Sequence, residues 1–364
     1  MDRTPMRELA RLARRLGVRR SYADGLGQRR VAPVESVYAV MRALGTDVSC
    51  IHDAAGENRR LDAAASSTLC APTVVSWTDA PPRVDLRPAA RKSDSIDASL
   101  RTERGDVREW RTNSIGVALD IPLDVPVGRH TLRLRAGRIE QEATLFRAPT
   151  RCARPASLSR CLAAFLPLYA VRKDAGVGLG DVGDLARFAS WAGDRGCALL
   201  ATLPLLACFL DDPLEPSPYA PVSRAVFGEH FIDLHAAATR VGEGALARLL
   251  RSPEFLAESA RARAGDLVDY RASWRLTRAA LDAAASDVFA SDALRVDVES
   301  FARQRPTFAA YAAFRAARAP GDPDRERRLF LCAQWLLREQ LGALSRAPGA
   351  ALYLDLPVGA HRDG

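Results

Sequence analysis

Apolar positions near the start of the chain recur at helical spacing. Met6, Leu9, Ala13 and Leu16 form one stripe that stops at Gly17. Val34, Val37, Tyr38, Met41 and Leu44 form a second, with Pro33 at its start and Gly45 just past its end. Proline suits the first turn of a helix and glycine its exit, so the spacing predicts a helical segment over 1–65. From 66 to 148 the period falls to two. VVSW (74–77), RVDL (83–86), the Ile96/Ala98/Leu100 alternation, GVALDI (116–121), TLRLR (131–135) and EATLF (142–146) read as short strands, separated by turn-forming DAPP, ERGD and DVPVG. Several short strands with regular turns predict an all-β, immunoglobulin-like sandwich. APTRCARPAS (148–157) reads as a linker.

The pattern then changes a third time. CLAAFLPLYAV (161–171) and CALLATLPLL (197–206) are near-continuous apolar runs, as expected of strands covered on both faces. Between them lies a helix whose stripe is Leu185, Phe188, Ala189 and Ala192. Strand, helix and strand in that order predict a βαβ unit, and hence a parallel sheet. An Ala-, Arg- and Leu-rich stretch with helical period fills about 240–345, and GAALYLDLPV (349–358) supplies a third strand.

Two loops in this region could carry chemistry. GVGLGDVGD (176–184) places Gly178, Gly180 and Gly183 in a G-x-G-x-x-G pattern between a strand and a helix, the context of a dinucleotide site. Against that, the glycines begin several residues past the strand, and the second strand ends in Pro204-Leu205-Leu206, without the acidic residue that would hold a ribose. The alternative is a tight connection with Asp181 or Asp184 capping the helix. In PSPYAPVSR (216–224) three prolines pin an extended loop around Tyr219. Such a tyrosine suits stacking on a flat face such as a sugar ring, and equally suits packing on its own neighbours.

Composition narrows the class without choosing a chemistry. With 364 residues, 48% apolar and 26% charged, the chain can bury more than one core. Its net charge of +8 is spread along the sequence; the densest cluster, RRLGVRR (14–20), reads as a solvated helix end, and no basic stripe with interleaved aromatics points to nucleic acid. Seven scattered cysteines form no CxxC pair and read as reduced thiols. His230 and His235 lack the partners of a zinc site. The N-terminus shows no signal-peptide pattern, and the longest apolar stretch, 197–210, is too short to span a bilayer. These features predict a cytoplasmic protein with no metal, no cofactor and no membrane or nucleic-acid partner; they set no oligomeric state.

Taken together, FLPLYAVR (165–172), GLGDVGDLARFASWAGDRG (178–196), LPLLACFLDDPLEPSPYAPVSR (203–224), FIDL (231–234), LVDYRA (267–272), AQWLLREQL (333–341) and LYLDLPVGAHRDG (352–364) resemble, in order, the 4-α-glucanotransferases (amylomaltase or disproportionating enzyme, glycoside hydrolase family 77). The resemblance covers about 161–364, and the preceding segments resemble the N-terminal extension of the longer bacterial members. It implies a multidomain protein: a helical segment (1–65), an immunoglobulin-like β-sandwich (66–148), and the first three β/α units of a (β/α)8, TIM-type barrel (149–364) with the helical insertion at about 240–345. It also implies transfer of α-1,4-glucan segments between maltodextrins, or glycogen-derived glucans, by a retaining double displacement.

By the same resemblance Tyr219 matches the tyrosine that stacks on the donor sugar. Asp355 matches a substrate-binding aspartate at the end of the third strand. The family's nucleophile lies in an Arg-x-Asp-His motif after the fourth strand and its acid/base glutamate after the fifth. No Arg-x-Asp-His string occurs in this sequence, so no catalytic residue is assigned. Other departures are Ala175-Gly176-Val177, where a tryptophan is common, and Gly228-Glu229-His230, where an asparagine-containing stretch is usual. Asp181 with Asp184, and Asp211 with Asp212, have no spacing that recommends them as a catalytic pair. The expectation is therefore an incomplete barrel, with open strand edges and an apolar lumen facing water, poorly soluble and inactive by itself. Two other classes stay open, a non-catalytic α-glucan-binding protein and a dinucleotide-dependent oxidoreductase.

Overall fold

The first apolar stripe becomes α1 (Thr4–Arg15), which buries Leu9, Leu12 and Ala13. It ends where Gly17 turns to a φ of +70°, letting the Val18 amide reach back to the Ala13 carbonyl at 2.8 Å. The structure is a computed structural model that describes residues 4–113, 116–121, 124–153, 158, 160–171, 173–211 and 214–364. The chain divides into two compact units, Met1–Ala153 and Arg154–Gly364.

The first unit departs from the all-helical expectation for 1–65. Strands β1 (Ser21–Ala23) and β2 (Arg29–Val31) form an antiparallel hairpin. Its turn is built by Asp24, whose carboxylate accepts hydrogen bonds from the Leu26 and Gln28 amides at 3.0 and 2.9 Å. Local turn chemistry wins here because the segment has no apolar face for a helix to bury. Helices α2 (Val34–Ala43) and α3 (Asp53–Ser66) complete the layer, with Val37, Met41, Val48 and Ala54 joining the α1 residues in one small core.

Strands β3 (Thr73–Trp77), β4 (Arg83–Asp85), β5 (Ile96–Arg101), β6 (Val107–Thr112), β7 (Ala118–Asp120), β8 (Gly128–Ala136) and β9 (Ile139–Ala148) follow. They form a five-stranded sheet in the order β3-β9-β8-β5-β6 and a two-stranded sheet of β4 and β7. Alternation selects the inner face: His130, Leu132, Leu134 and Ala136 are buried while Arg133 and Arg135 point outward. The inner residues share a core with Val84 and Leu119 of the smaller sheet. Strand β6 was not legible in the sequence. As an edge strand it is mostly exposed, and its Arg- and Glu-rich pattern is that of an edge that resists further pairing.

The second unit holds a parallel sheet of β10 (Leu162–Phe165), β11 (Cys197–Thr202) and β12 (Ala351–Leu354), in that order. Residues 154–157 of the expected linker lie outside the described residues. Helix α4 (Val182–Gly193) crosses between β10 and β11, burying Leu185, Ala189 and Ala192. The chain enters β12 against this helix: the Ala350 amide donates to the Ala189 carbonyl at 2.9 Å, and a Cβ on Gly193 would lie 2.7 Å from the Gly349 Cα.

The expectation of strands covered on both faces does not hold. β10 stops at Phe165 because Pro167 and a 3-10 turn at Leu168–Ala170 break the apolar run. In register, Phe165, Ala201 and Tyr353 share the face turned away from α4, and Phe165 and Tyr353 are 62% and 65% exposed. The stretch expected to be helical forms α5 (Leu234–Val241), α6 (Ala245–Arg251), α7 (Pro253–Arg263), α8 (Tyr270–Ala290), α9 (Asp292–Gln304), α10 (Pro306–Arg318) and α11 (Pro323–Leu344). Their apolar faces close one core with α4 and the buried side of the sheet.

Two glycines make opposite predictions. A Cβ on Gly180 would lie 2.2 Å from the Leu168 carbonyl oxygen, so Gly180→Ala should cost about 1–3 kcal/mol in urea denaturation. Gly56 sits inside α3 with nothing within 4 Å of its missing Cβ, so Gly56→Ala should instead add about 0.5–1 kcal/mol.

Candidate functional site

The C-terminal ends of the three parallel strands gather polar and aromatic side chains. Past β10, the 3-10 turn carries Tyr169; past β11, a long irregular loop carries Tyr219; directly past β12 stands Asp355. The prolines of PSPYAPVSR and a short network hold that loop. The Tyr219 amide donates to Ser217 Oγ at 3.3 Å, and the Val222 amide to the Ala207 carbonyl at 2.7 Å. The chain after Asp355 folds back over it: the His361 amide reaches the Pro221 carbonyl at 2.7 Å, and Arg224 reaches the Val358 carbonyl at 3.2 Å.

The Tyr219 hydroxyl donates a 2.8 Å hydrogen bond to Asp355 Oδ2. Two residues 136 positions apart in sequence thus meet at the mouth of the sheet, with Tyr219 54% exposed. That hydrogen bond to a carboxylate, followed by slight burial and the charge itself, raises the Tyr219 pKa above its ordinary 10.0; neighbouring Tyr169 adds a smaller push. Tyr169 in turn faces Tyr270, the first residue of α8, with ring centroids 6.4 Å apart, and burial pushes the Tyr270 phenol up to about 12. The site is therefore an aromatic rim with one carboxylate held by a phenol, open to solvent on one side.

Two family models match the sequence, "4-alpha-glucanotransferase" over residues 166–327 and "MalQ N-terminal beta sandwich domain" over 69–149. The 4-alpha-glucanotransferases of Mycobacterium bovis and Mycobacterium tuberculosis are 28% identical over 307 aligned residues, covering 75% of this chain. Over residues 166–327 the chain is thus similar to the 4-alpha-glucanotransferase family. It spans 40% of the length of those two relatives. In fold it resembles the amylomaltase of Corynebacterium glutamicum, with a TM-score of 0.81 at 20% identity, over 98% of this chain and 55% of that one. The family model ends before Asp355, so Tyr219 lies within the matched segment and its partner beyond it.

The other loop carboxylates weighed in the sequence have structural engagements where they are described. Asp181 is the N-cap of α4, and its side chain accepts from the Asp184 amide while Asp184 accepts from the Asp181 amide, at 3.0 and 2.9 Å. Lys173 bonds both carboxylates, and Arg187 bonds Asp184. Burial, with the Asp184 and Asp233 charges, raises the Asp181 carboxyl against the pull of Lys173; at Asp184, burial is outweighed by Lys173, the Asp181 amide and Arg187, and the pKa falls. Asp211 accepts from Trp274 Nε1 at 2.6 Å and from Arg315 at 2.7 Å. Asp212 lies outside the described residues.

The glycine motif is filled by the protein's own atoms. A Cβ on Gly178 would lie 2.8 Å from the Ala262 carbonyl, and one on Gly183 would lie 2.1 Å from the Asp233 carboxylate. These glycines permit close packing of α4 against its neighbours, which is the tight-connection reading of the loop. Among the described residues no His, Cys, Asp and Glu cluster suited to a metal ion occurs, and no helix is long and apolar enough to cross a membrane.

Sequence reading missed Tyr169, although it lies in the quoted FLPLYAVR, and the position just past a parallel strand was the available signal. Tyr270, Trp274 and Arg315 carried no local signal, since their roles depend on helices packing against a distant loop.

Two titrations follow from these environments. In protein labelled with 13C-tyrosine, the Tyr219 resonance, assigned by its loss in Tyr219→Phe, should titrate above 10.0 and shift downward in Asp355→Asn. Separately, burial pushes the His230 imidazole from 6.5 down to about 3. Its folded pKa lies below its unfolded one, so this contribution to stability is complete above about 6.5 and is lost as pH falls toward about 3. The urea midpoint should therefore drop between pH 7 and pH 5, and drop less in His230→Gln.

Proposed function

We propose that this chain binds α-1,4-glucans at the ends of its parallel strands and is the donor-sugar-binding part of a 4-alpha-glucanotransferase. The observation that carries the reading is the 2.8 Å bond between Tyr219 and Asp355. An exposed aromatic ring offers its face to the C–H surface of a pyranose, and a carboxylate beside it takes sugar hydroxyls. A carboxylate has room for about four hydrogen bonds, and Tyr219 takes one, leaving Asp355 with acceptor capacity for a hydroxyl of the stacked sugar. Tyr169 extends the aromatic rim along the sheet mouth. The names of the mycobacterial relatives support the coarser class, α-glucans; maltodextrins or glycogen-derived glucans in a cytoplasmic setting are the proposal's own narrower reading.

The transfer itself is a retaining double displacement in this reading, and it needs a nucleophilic and an acid/base carboxylate about 5 Å apart across the sugar. The sequence contains no Arg-x-Asp-His string, and Asp181, Asp184 and Asp211 are engaged in caps and ion pairs. The 364-residue chain is thus proposed to bind glucan without turning it over. In a native gel cast with glycogen the chain should be retarded and Tyr219→Ala should migrate freely. Equal mobility of the two, with and without glycogen, refutes the binding site. Incubation with maltotriose should leave the sugar unchanged; accumulation of glucose and longer oligosaccharides would refute the claim of inactivity.

A further inference from the structure

The loop that carries Tyr219 runs from 203 to 228, and among its described residues it has two isolated β-bridges and no helix or strand. Loops of that length fluctuate unless side chains tie them down. Here the ties come from the helical insertion, and they converge on one buried cation. Arg315, on α10, is 3% exposed. Its Nη2 donates to Asp211 Oδ2 at 2.7 Å, and its Nη1 to the Cys208 carbonyl at 3.4 Å, so it grips the ascending limb of the loop. Trp274 of α8 donates to the other oxygen of Asp211 at 2.6 Å.

The descending limb is reached through a relay. Arg315 Nη1 donates to the Tyr311 hydroxyl at 3.1 Å, and that hydroxyl donates to Glu229 Oε1 at 2.6 Å. Gln334 of α11 donates to the same oxygen at 3.1 Å and clasps the Phe227 backbone, accepting from its amide at 3.0 Å and donating to its carbonyl at 2.7 Å. The guanidinium also sits over the Phe330 and Phe209 rings, with centroids 4.5 and 5.6 Å away. One fork-shaped cation therefore ties both limbs of the loop to the helices, and Tyr219 stands between the limbs.

We infer that Arg315 is a positioning residue for Tyr219, acting with Tyr311 and Glu229 so that the helical insertion serves as the rigid frame of the glucan-stacking loop. The role assigned to Tyr219 rests on the glucan reading above; the anchoring of the loop does not. A lysine could keep the charge at this position but not the planar fork that meets Asp211, the Cys208 carbonyl and Tyr311 together.

Hydrogen exchange and binding on the full 364-residue chain test the two halves separately. In Arg315→Met, peptides covering 205–224 should exchange faster by about tenfold or more, the cost of hydrogen bonds to a charged group, while β11 and α4 exchange as in the parent. Affinity for maltoheptaose should weaken by a similar factor, with Arg315→Lys falling between. Tyr311→Phe deletes one hydroxyl and leaves the charge. It should loosen the 225–230 limb about threefold or more, and it carries the test if Arg315→Met fails to fold. Unchanged exchange in 205–224 for Arg315→Met, or in 225–230 for Tyr311→Phe where that variant stands in, overturns the anchoring. Faster exchange with unchanged maltoheptaose affinity overturns the positioning role. If the parent chain fails to bind maltoheptaose, the glucan reading falls and the positioning role with it, while the exchange result still decides the anchoring.

Discussion

A long irregular loop can present a side chain in a defined place only if the elements around it satisfy its backbone and fix its two limbs. In this protein that constraint is met by the buried guanidinium of Arg315 and the groups it organises. Taking an arginine out of water is costly, and the cost is offset here by Asp211, the Cys208 carbonyl, the Tyr311 hydroxyl and the faces of Phe209 and Phe330. Glu229 is buried as well, and burial raises its pKa while Arg315 and Tyr311 oppose that rise. Arg315, Tyr311 and Glu229 are buried, so removing one leaves the others with polar groups that water does not readily reach, and the network favours one loop conformation.

The parallel sheet supplies the other half of the site. Residues that leave β10, β11 and β12 at their C-terminal ends must emerge on one side, because the strands run the same way and the register aligns Phe165, Ala201 and Tyr353. Tyr169, Tyr219 and Asp355 are therefore neighbours for a topological reason, and the Tyr219–Asp355 bond is the local expression of it. The glycine-rich connection serves the same geometry from below. With the Ala262 and Leu168 carbonyls and the Asp233 carboxylate under 3 Å from where its Cβ atoms would lie, it lets the entry to α4 pack closely on its neighbours, and Asp181 and Asp184 close the helix's first turn.

Much of this was legible in the amino-acid sequence. The stripes of α1 and α2, the alternation of β5 and β8, and the βαβ unit around α4 were each set by a repeat of apolar positions that one element alone can bury. The hairpin at 21–31 and the edge strand β6 were not, because neither has a buried face for a period to report; a turn carboxylate decides the first and neighbouring β5 the second. The apolar runs of β10 and β12 correctly marked strands, but they gave no sign of which face would be left open to solvent.

The candidate site divides along the same line. In the sequence, the prolines that stiffen its loop drew notice to Tyr219, and the family resemblance gave Tyr219 and Asp355 their substrate-binding roles, since motifs and loop stiffness are local properties. That the two touch, that Tyr169 joins them, and that Arg315, Tyr311 and Glu229 hold the loop in place were decided by tertiary structure. The hydrogen bonds that decide them join residues roughly 80 to 140 positions apart, and no local spacing encodes which carboxylate will meet which phenol or guanidinium once the helices have packed.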